Sequence, residues 1–281
     1  MLKRPLTVKR KLLRFGFYSL YYPISRIFLK FERIASWNEA RLWVDHTPGG
    51  VFKGVSFDNY TWWIYVQGFF SALISSFVTK TNLKVFDFGC GMGRMATVCQ
   101  FWVKDGGKYL GVDTDLKAME ECRKTYASLK NCEFYITKDQ NAFYKNPGGS
   151  NTEAMNVDWP VGNGTQDLLI ANSVFTHLQE KESVKYMRKI HEVLAPGGLA
   201  IISFHVIRDY VNVNPTFNFI HPLTPGWFTS DLECPEHAIG VPFATVQQLI
   251  KDKFTILKWL EGHSTGGNSP SFQDIFVLKK I

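Results

Sequence analysis

A glycine-rich turn between an apolar run and a helical pattern constrains this chain more than any other feature. Residues 83–88 (LKVFDF) are mostly apolar, as in a buried strand, and residues 94–98 (RMATV) suit the start of a helix. Gly89, Gly91 and Gly93 lie between them. A strand that enters a helix through such a turn brings bare backbone and a helix N-terminus to one point, where no Cβ atom obstructs a ligand. The turn predicts a site for a nucleotide-like ligand.

Strand patterns alternate with helical patterns over most of the chain. Strands are predicted near residues 83–88, 108–113, 132–137, 167–173, 199–204, 254–260 and 274–278, and helices near 60–78, 115–126, 180–194 and 245–251. Such alternation is typical of a parallel sheet with helices on both faces. The predicted fold class is therefore α/β with a doubly wound sheet.

Four segments organise the rest of the prediction. Residues 1–55 form a basic amphipathic N-terminal extension with helical spacing, and residues 56–281 form the main domain. Within that domain, residues 143–165 are rich in Gly, Asn and Pro, which predicts a surface insertion. Residues 205–240 carry prolines and histidines without sustained periodicity, and we expect them to form a lid over the carboxyl ends of the strands.

The positive charge of the chain is concentrated in the extension. The net charge is +7, and residues 1–33 hold nine basic residues and one acidic residue, so the remainder carries −1. A body near neutrality lacks the broad basic surface that nucleic acid requires, so we expect no nucleic-acid partner. Two interpretations of the extension stay open. Residues 1–34 could make peripheral contact with an anionic membrane, or their aromatic stripe could pack on the body, which we favour.

The cysteines and the hydropathy pattern bear on the compartment. The five cysteines are an odd number without a Cys-x-x-Cys pair, which fits reduced thiols in the cytoplasm better than disulfides or a zinc site. No run of 18 apolar residues suggests a transmembrane helix. We therefore expect a cytoplasmic protein, soluble or attached to the membrane surface, without a structural metal.

Polar residues follow the predicted strands at the edge where ligands bind in open α/β sheets. Asp113, with Thr114, ends the second strand and can accept hydrogen bonds from ribose hydroxyls. The third strand leads to Asp139 and Gln140, and the fourth leads to Asn172. Together these groups suit an adenosine with a polar tail.

Asp87 separates two classes of cofactor. Residues 91–96 also satisfy the Gly-x-Gly-x-x-Ala form of dinucleotide-binding turns, so a nicotinamide cofactor must be weighed. Asp87 stands two residues before the first glycine, where a carboxylate would repel a pyrophosphate but can help to hold an ammonium group, directly or through water. S-adenosylmethionine carries such an ammonium group, and Asp87 favours it.

Four segments, in this order, resemble the class I S-adenosylmethionine-dependent methyltransferases: VFDFGCGMGRMA, GVDTD, DLLIANSVFTHL and LAPGGLAIIS, within about residues 83–204. The closing FQDIFVLKK is similar to the last strand of many members. The resemblance implies a Rossmann-like, mostly parallel seven-stranded sheet with an antiparallel last strand. It also implies S-adenosylmethionine as cofactor and methyl transfer by in-line attack on the sulfonium.

The resemblance also implies roles for single residues. Asp87 and the turn backbone would hold the methionine part, Asp113 the ribose and Asp139 the adenine amino group, although the third motif departs from its common form. Asn172 would lie where the cofactor and acceptor pockets meet. The implied cofactor-binding set is Asp87, Gly89, Cys90, Gly91, Gly93, Asp113, Thr114, Asp139, Gln140 and Asn172.

A general base is needed only if the acceptor is a hydroxyl, which must lose its proton. His177 is the first candidate, although many family members carry a histidine here that packs beside the cofactor, and His205 is the second. His221, Cys234 and His237 have spacing too irregular for a metal site and are expected in the lid.

The predicted function is O- or N-methylation of a small-molecule, sugar or lipid-linked acceptor. Two alternatives remain: an NAD(P)-dependent oxidoreductase, and a catalytically inactive S-adenosylmethionine-binding subunit attached to a membrane or a partner. The acceptor is chosen by the extension and by residues 205–240, which carry no motif.

Overall fold

The computed structural model describes residues 60–137, 159–208 and 217–281. Their strands are β1 (Lys84–Phe88), β2 (Lys108–Asp113), β3 (Cys132–Ile136), β4 (Gln166–Ala171), β5 (Leu194–Ile207), β6 (His221–Thr224), β7 (Trp227–Thr229), β8 (Ile239–Pro242), β9 (Phe254–Leu260) and β10 (Asp274–Lys280). Their α-helices are α1 (Tyr60–Ser75), α2 (Arg94–Cys99), α3 (Leu116–Thr125), α4 (Glu180–Val193) and α5 (Phe243–Ile250). Every element predicted from the sequence within these ranges is present, with ends that differ by a few residues.

Seven strands form the central sheet in the order β3-β2-β1-β4-β5-β10-β9. The pairs from β3 to β5 are parallel, whereas β10 runs antiparallel to both β5 and β9. The predicted seven-stranded sheet with an antiparallel last strand is confirmed.

The sheet buries apolar side chains on both faces. In β1, Phe86 and Phe88 pack into a cluster with α4 and α5, and Val85 packs into a second cluster with α1, α2 and α3. This alternation follows from the period of two along a strand, and two covered faces make the sheet doubly wound, as predicted. The Asp115 side chain caps α3 by accepting hydrogen bonds from two backbone N–H groups of the first turn, which explains why that helix begins there.

Strand β5 is longer than the sequence predicts. Leu194 already pairs with Gln166, and Leu199 pairs with Leu168, so residues 195–198, between the predicted helix and the predicted strand, form a bulge inside the pairing. Gly197 permits the bulge because its φ is +71°, a left-handed conformation that glycine adopts without strain.

The far end of β5 carries a small sheet that the sequence analysis did not predict. Strand β8 pairs in parallel with β5 at residues 205–207, β7 pairs with β8, and β6 pairs with β7. The described part of the expected lid thus contains regular structure rather than an irregular loop. Its strands are only three or four residues long, too short for an alternating pattern to stand out in the sequence.

Several predictions fall outside the described ranges. These are the extension at 1–55, most of the insertion at 143–165, part of the lid at 209–216, and Asp139 and Gln140. The division of the chain at residue 55 stays a prediction. None of the helices that the structure describes has the length and apolarity needed to cross a bilayer.

Candidate active site

The three glycines of the turn have positive φ angles, but for different reasons. Their φ values are +73° at Gly89, +51° at Gly91 and +77° at Gly93. A Cβ at Gly89 would collide with the Val174 side chain, and a Cβ at Gly93 would lie 2.5 Å from the Tyr126 ring. A Cβ at Gly91 would meet no heavy atom within 4 Å. Protein packing therefore requires the outer two glycines, whereas the middle one faces open space that a ligand can fill.

The amide groups of the turn are used within the protein. The N–H groups of Gly89 and Cys90 both donate to the Val112 carbonyl, at 2.9 and 3.0 Å, and the N–H of Gly93 donates to the Cys90 carbonyl at 2.9 Å. The N–H of Gly91 donates to a carboxylate oxygen of Asp113 at 2.7 Å. A pyrophosphate needs such donors for itself. These four amides therefore do not form the anion cradle of a dinucleotide site, in agreement with a cationic ligand group.

Asp113 is held beside the open glycine. One carboxylate oxygen accepts from the Gly91 amide, and the other accepts from the Asp115 amide at 3.0 Å. Burial raises the pKa of Asp113, and these backbone hydrogen bonds oppose the rise. A carboxylate has about four acceptor positions, so the oriented side chain retains capacity for the two hydroxyls of a ribose. The geometry fits the sugar of an adenosine cofactor.

Asp87 lies on the opposite face of β1 from Phe86 and Phe88 and is 2% exposed. Its carboxyl accepts a hydrogen bond of 2.5 Å from the Tyr109 hydroxyl. Burial raises its pKa to about 7, against the opposing effects of Tyr109 and Arg94. A carboxyl that is partly protonated near neutrality repels phosphate less than the sequence analysis assumes. Its contact with an ammonium group stays a prediction.

A narrow cleft with a volume of about 40 Å³ begins directly after the turn. Helix α1, the residues that follow β4 and the residues that precede β10 form its walls. The polar lining comes from Arg94, Asn172, Ser173 and Gln273, and the aromatic lining comes from Trp62, Tyr65, Phe69, Phe70 and Phe272. The Tyr65 hydroxyl donates to the Pro270 carbonyl at 3.0 Å, joining two of the walls. The cleft thus combines a few polar groups with mostly apolar walls, as small-molecule sites commonly do.

Comparison with known proteins assigns the family. A family model described as a methyltransferase domain matches residues 62–221, which is more than half of the chain. The chain belongs to this methyltransferase family. The identification as a class I S-adenosylmethionine-dependent methyltransferase is confirmed, and with it S-adenosylmethionine as cofactor.

Solved structures agree with the fold. The PH0226 protein of Pyrococcus horikoshii OT3 is 15% identical with a TM-score of 0.55, and the match covers 83% of this chain and 99% of that one. A S-adenosylmethionine-dependent methyltransferase from Methanosarcina mazei is 17% identical with a TM-score of 0.51, covering 74% and 97%. At identities this low, the similarity supports the fold of this chain and nothing more specific.

The turn after β4 places Asn172 in the cleft wall of the methyltransferase. The next residue, Ser173, has a φ of +59°, a left-handed conformation that is costly for a residue with a Cβ. Its amide donates to the Ser203 hydroxyl at 2.6 Å, and its hydroxyl donates to Gln273 Oε1 at 2.9 Å. These bonds tie the turn to β5 and to the residues before β10. The contact of Asn172 with ligands stays a prediction.

His177 ends a short 3₁₀ turn over Phe175–His177. Its Nδ1 lies 2.8 Å from the Glu236 carbonyl oxygen. A carbonyl can only accept, so Nδ1 carries the hydrogen, and Nε2 is the basic nitrogen of the neutral ring. Burial lowers the pKa of His177, which keeps the ring neutral near pH 7. This contact fixes the tautomer of the ring, but His177 is not among the residues that line the cleft, and its role as a base stays a prediction.

His205 is 2% exposed and packed among rings. Its ring centre lies 5.0, 5.4 and 6.0 Å from those of Phe217, Phe219 and Phe272, and its Nδ1 lies 3.1 Å from the Ser264 hydroxyl. Burial lowers its pKa to about 3. Proton uptake would place a charge among three phenyl rings, so the surroundings suit a neutral, packed imidazole. The role of His205 as a base stays a prediction.

A buried ion pair fixes the same end of the molecule. Arg208, just after β5, lies 2.5 Å from Asp274 at the start of β10, and the Asp274 side chain is fully buried. Asp274 also accepts hydrogen bonds from the Val206 amide, the Trp259 ring and the Thr265 hydroxyl, at 3.1, 3.0 and 2.8 Å. We call these five residues the Arg208–Asp274 network. It fixes the segment that contains Ser264, the partner of His205.

The sequence analysis missed Arg94, Gln273 and the Arg208–Asp274 network. Arg94 had a local signal, because it is a charged residue directly after the last glycine of the turn. The others had none, since their partners lie far away in sequence. Across the three described ranges, no group of three His, Cys, Asp or Glu side chains is close enough together to hold a metal ion.

Proposed function

We propose that this methyltransferase transfers the methyl group of S-adenosylmethionine to a small-molecule acceptor, such as a sugar or a lipid-linked molecule, bound in the cleft behind the turn. The cleft carries this proposal. It begins at the glycine turn, where the cofactor is expected, and its aromatic walls with a few polar groups suit an organic molecule.

The proposed cofactor site spans the carboxyl ends of neighbouring strands. The ribose lies at Asp113 beside Gly91, and the methionine part extends past the turn towards Asn172 and the cleft. The sulfonium of the cofactor supplies the electrophile, and the protein mainly aligns the acceptor with it. For a hydroxyl acceptor that reaches beyond the cleft lining to His177, Nε2 would take the proton, because the Glu236 carbonyl holds the hydrogen on Nδ1.

Isothermal titration of the full chain with S-adenosylhomocysteine tests the cofactor site. We expect binding by the wild type and a loss of roughly tenfold or more in Asp113→Ala, because a charged acceptor of the ribose hydroxyls is removed. Glu120→Ala is the matched control, since it removes a carboxylate from an exposed position of α3. Absence of binding by the wild type, or equal affinity in Asp113→Ala, would refute the site. NAD serves as the competing ligand and should not bind.

The acceptor is tested by incubating the enzyme with fractionated metabolites and lipids and isotopically labelled S-adenosylmethionine. We expect label in a low-molecular-mass or lipid fraction. Label in protein or nucleic acid alone would overturn this part of the proposal.

A lipid-linked acceptor also implies membrane contact through residues 1–34. Co-sedimentation with acidic vesicles at low salt should then be stronger for the full chain than for a variant that starts at Ala35. Equal sedimentation would favour a soluble acceptor.

A further inference from the structure

The cleft is too narrow for the acceptor that the proposed function places in it. Its volume of about 40 Å³ holds only a few water molecules. Organic ligands occupy pockets of roughly 300–1,000 Å³. An acceptor can therefore enter only if part of the cleft wall moves.

The backbone of both walls is held in place. In α1, Phe70 is 2% exposed and Ile74 is fully buried, so the helix is anchored in the core. In the segment before β10, the Ser264 amide donates to the Phe272 carbonyl at 2.9 Å. These contacts leave the exposed side chains at the rim as the movable part of the cleft.

Tyr65 is the exposed side chain that closes the cleft. It lies on the second turn of α1 and is 42% exposed, and it also lines the cleft. Its ring stacks on that of Trp62, with centroids 5.1 Å apart and planes at 25°. Its hydroxyl donates to the Pro270 carbonyl on the opposite wall at 3.0 Å. The side chain thus spans the cleft from α1 to the segment before β10.

The hydrogen bond that holds Tyr65 across the cleft is exposed and easily broken. An exposed hydroxyl exchanges its protein partner for water, so the net contribution of such a bond is small. Exposed side chains change rotamer within picoseconds to nanoseconds. Rotation of Tyr65 into another staggered rotamer would break its bond to Pro270 without moving the helix.

We propose that Tyr65 is a gate of the acceptor cleft. In the closed state, its hydroxyl bonds to the Pro270 carbonyl. In the open state, the ring turns outward and gives the acceptor a path towards Asn172. The inference rests on the proposed function, because that function places the acceptor in this cleft. The cofactor is proposed at Asp113 and the glycine turn, so the gate should leave cofactor binding unchanged.

Chemical labelling of a cysteine inside the cleft measures the opening directly. The reporter is Asn172→Cys in the full chain, alkylated with iodoacetamide, and mass spectrometry follows the peptide that contains residue 172. We expect Tyr65→Phe, added to the reporter, to raise the labelling rate roughly two- to tenfold, the factor by which one net hydrogen bond changes an equilibrium constant. Tyr65→Ala, which also removes the ring, should raise the rate further.

Tyr135→Phe is the matched control. The Tyr135 hydroxyl donates to the Glu133 carboxylate at 3.0 Å, and the side chain is 40% exposed. The substitution therefore removes the same kind of bond from another part of the surface and should leave the labelling rate of residue 172 unchanged. Should Asn172→Cys fail to fold in a thermal melt, Ser271→Cys on the opposite wall takes its place as the reporter.

The outcomes distinguish this inference from the proposed function. Equal labelling rates with Tyr65 and with Tyr65→Phe would refute the gate, and so would an equal rise in Tyr135→Phe. Titration with S-adenosylhomocysteine should give Tyr65→Phe an affinity within about twofold of the wild type. A much weaker affinity would also overturn the gate, because Tyr65 would then support the cofactor site. A wild type that does not bind S-adenosylhomocysteine refutes the proposed function, whatever the labelling rates are.

Discussion

The glycine turn with its flanking strands, residues 84–113, and the Arg208–Asp274 network hold opposite halves of the molecule by different means. In the turn, the amide groups of Gly89, Cys90, Gly91 and Gly93 bond to nearby backbone carbonyls or to Asp113. The Tyr126 hydroxyl, directly after α3, also donates to the Gly93 carbonyl at 2.8 Å. In the network, the ion pair joins two residues that lie 66 positions apart in the chain, Arg208 and Asp274. The first region is stabilised by backbone conformation, and the second by buried charge.

The two regions should therefore tolerate different substitutions. A Cβ added at Gly89 or Gly93 collides with a packed side chain, whereas a buried ion pair is destabilised when either partner is removed alone. The following variants measure that contrast, beginning with the largest expected effect.

Asp274→Ala should destabilise the protein most. It leaves the Arg208 guanidinium without its buried carboxylate and removes an acceptor from three further groups, which typically costs about 3–5 kcal/mol in the free energy of unfolding. Urea denaturation measures the loss. Glu133→Gln, in the exposed pair with Lys108, is the control and should cost less than about 1 kcal/mol. Similar losses in the two variants would contradict a structural role for the network.

The glycines should separate stability from binding. Gly93→Ala forces a Cβ against Tyr126 at a positive φ and should cost about 2–4 kcal/mol in unfolding free energy. Gly91→Ala should cost only about 1 kcal/mol of backbone strain but weaken S-adenosylhomocysteine roughly tenfold or more, because the new methyl fills the ligand space. Gly164→Ala, also at positive φ with open space around it, should match that strain without loss of affinity. Unchanged affinity in Gly91→Ala would mean that the ligand lies elsewhere.

Asp87 should make the turn region less stable as the pH rises. Burial raises its folded pKa to about 7, above the ordinary value of 3.8, so the folded state binds more protons between these values. The free energy of unfolding should therefore fall by about 2 kcal/mol from pH 5 to pH 7 through this group. Asp87→Asn, which still accepts from Tyr109, should remove that slope in urea titrations. A slope that survives the substitution would place its origin in another group.

His205 should make the protein less stable as the pH falls, which is the opposite of the effect of Asp87. Burial lowers its folded pKa to about 3, below the ordinary 6.5, so the unfolded state binds more protons between these values. Stability should therefore be lost as the pH falls, by about 1 kcal/mol from pH 7 to pH 5.5. His205→Gln should flatten this acid branch in the same titrations. If it abolished methyl transfer while the protein stayed folded, His205 would have a chemical role that its packing does not suggest.

The glycine turn and its flanking strands could be predicted from the sequence, because the residues that determine them lie close together in the chain. Glycines at alternate positions predict a left-handed backbone, and Asp113 at the end of β2 predicts the ribose site. Even so, the sequence could not show that Gly89 and Gly93 serve packing while Gly91 serves the ligand. That distinction depends on Val174 and Tyr126, which reach the turn from later elements.

The region around the Arg208–Asp274 network could not be predicted in the same way. The alternation of patterns predicted β5, β9 and β10, but not the small sheet at the end of β5, whose strands are too short for a pattern. No residue near Asp274 in sequence predicts its pairing with Arg208. Likewise, no residue near His205 predicts the three phenyl rings that pack around it. Long-range side-chain contacts leave no local periodicity, so this half needed the structure.

The position of β10 between β5 and β9 sets the order in which the sheet can assemble on the ribosome. Strands β1 to β5 emerge in sequence and can pair as they appear, because each finds a neighbour already made. Strand β5 then keeps an open edge over residues 199–204, and Arg208 lacks its carboxylate, until residues 274–280 are synthesised. The strands that carry the glycine turn can therefore pair before β10 is made, whereas the β5 edge over residues 199–204 has to wait for β10.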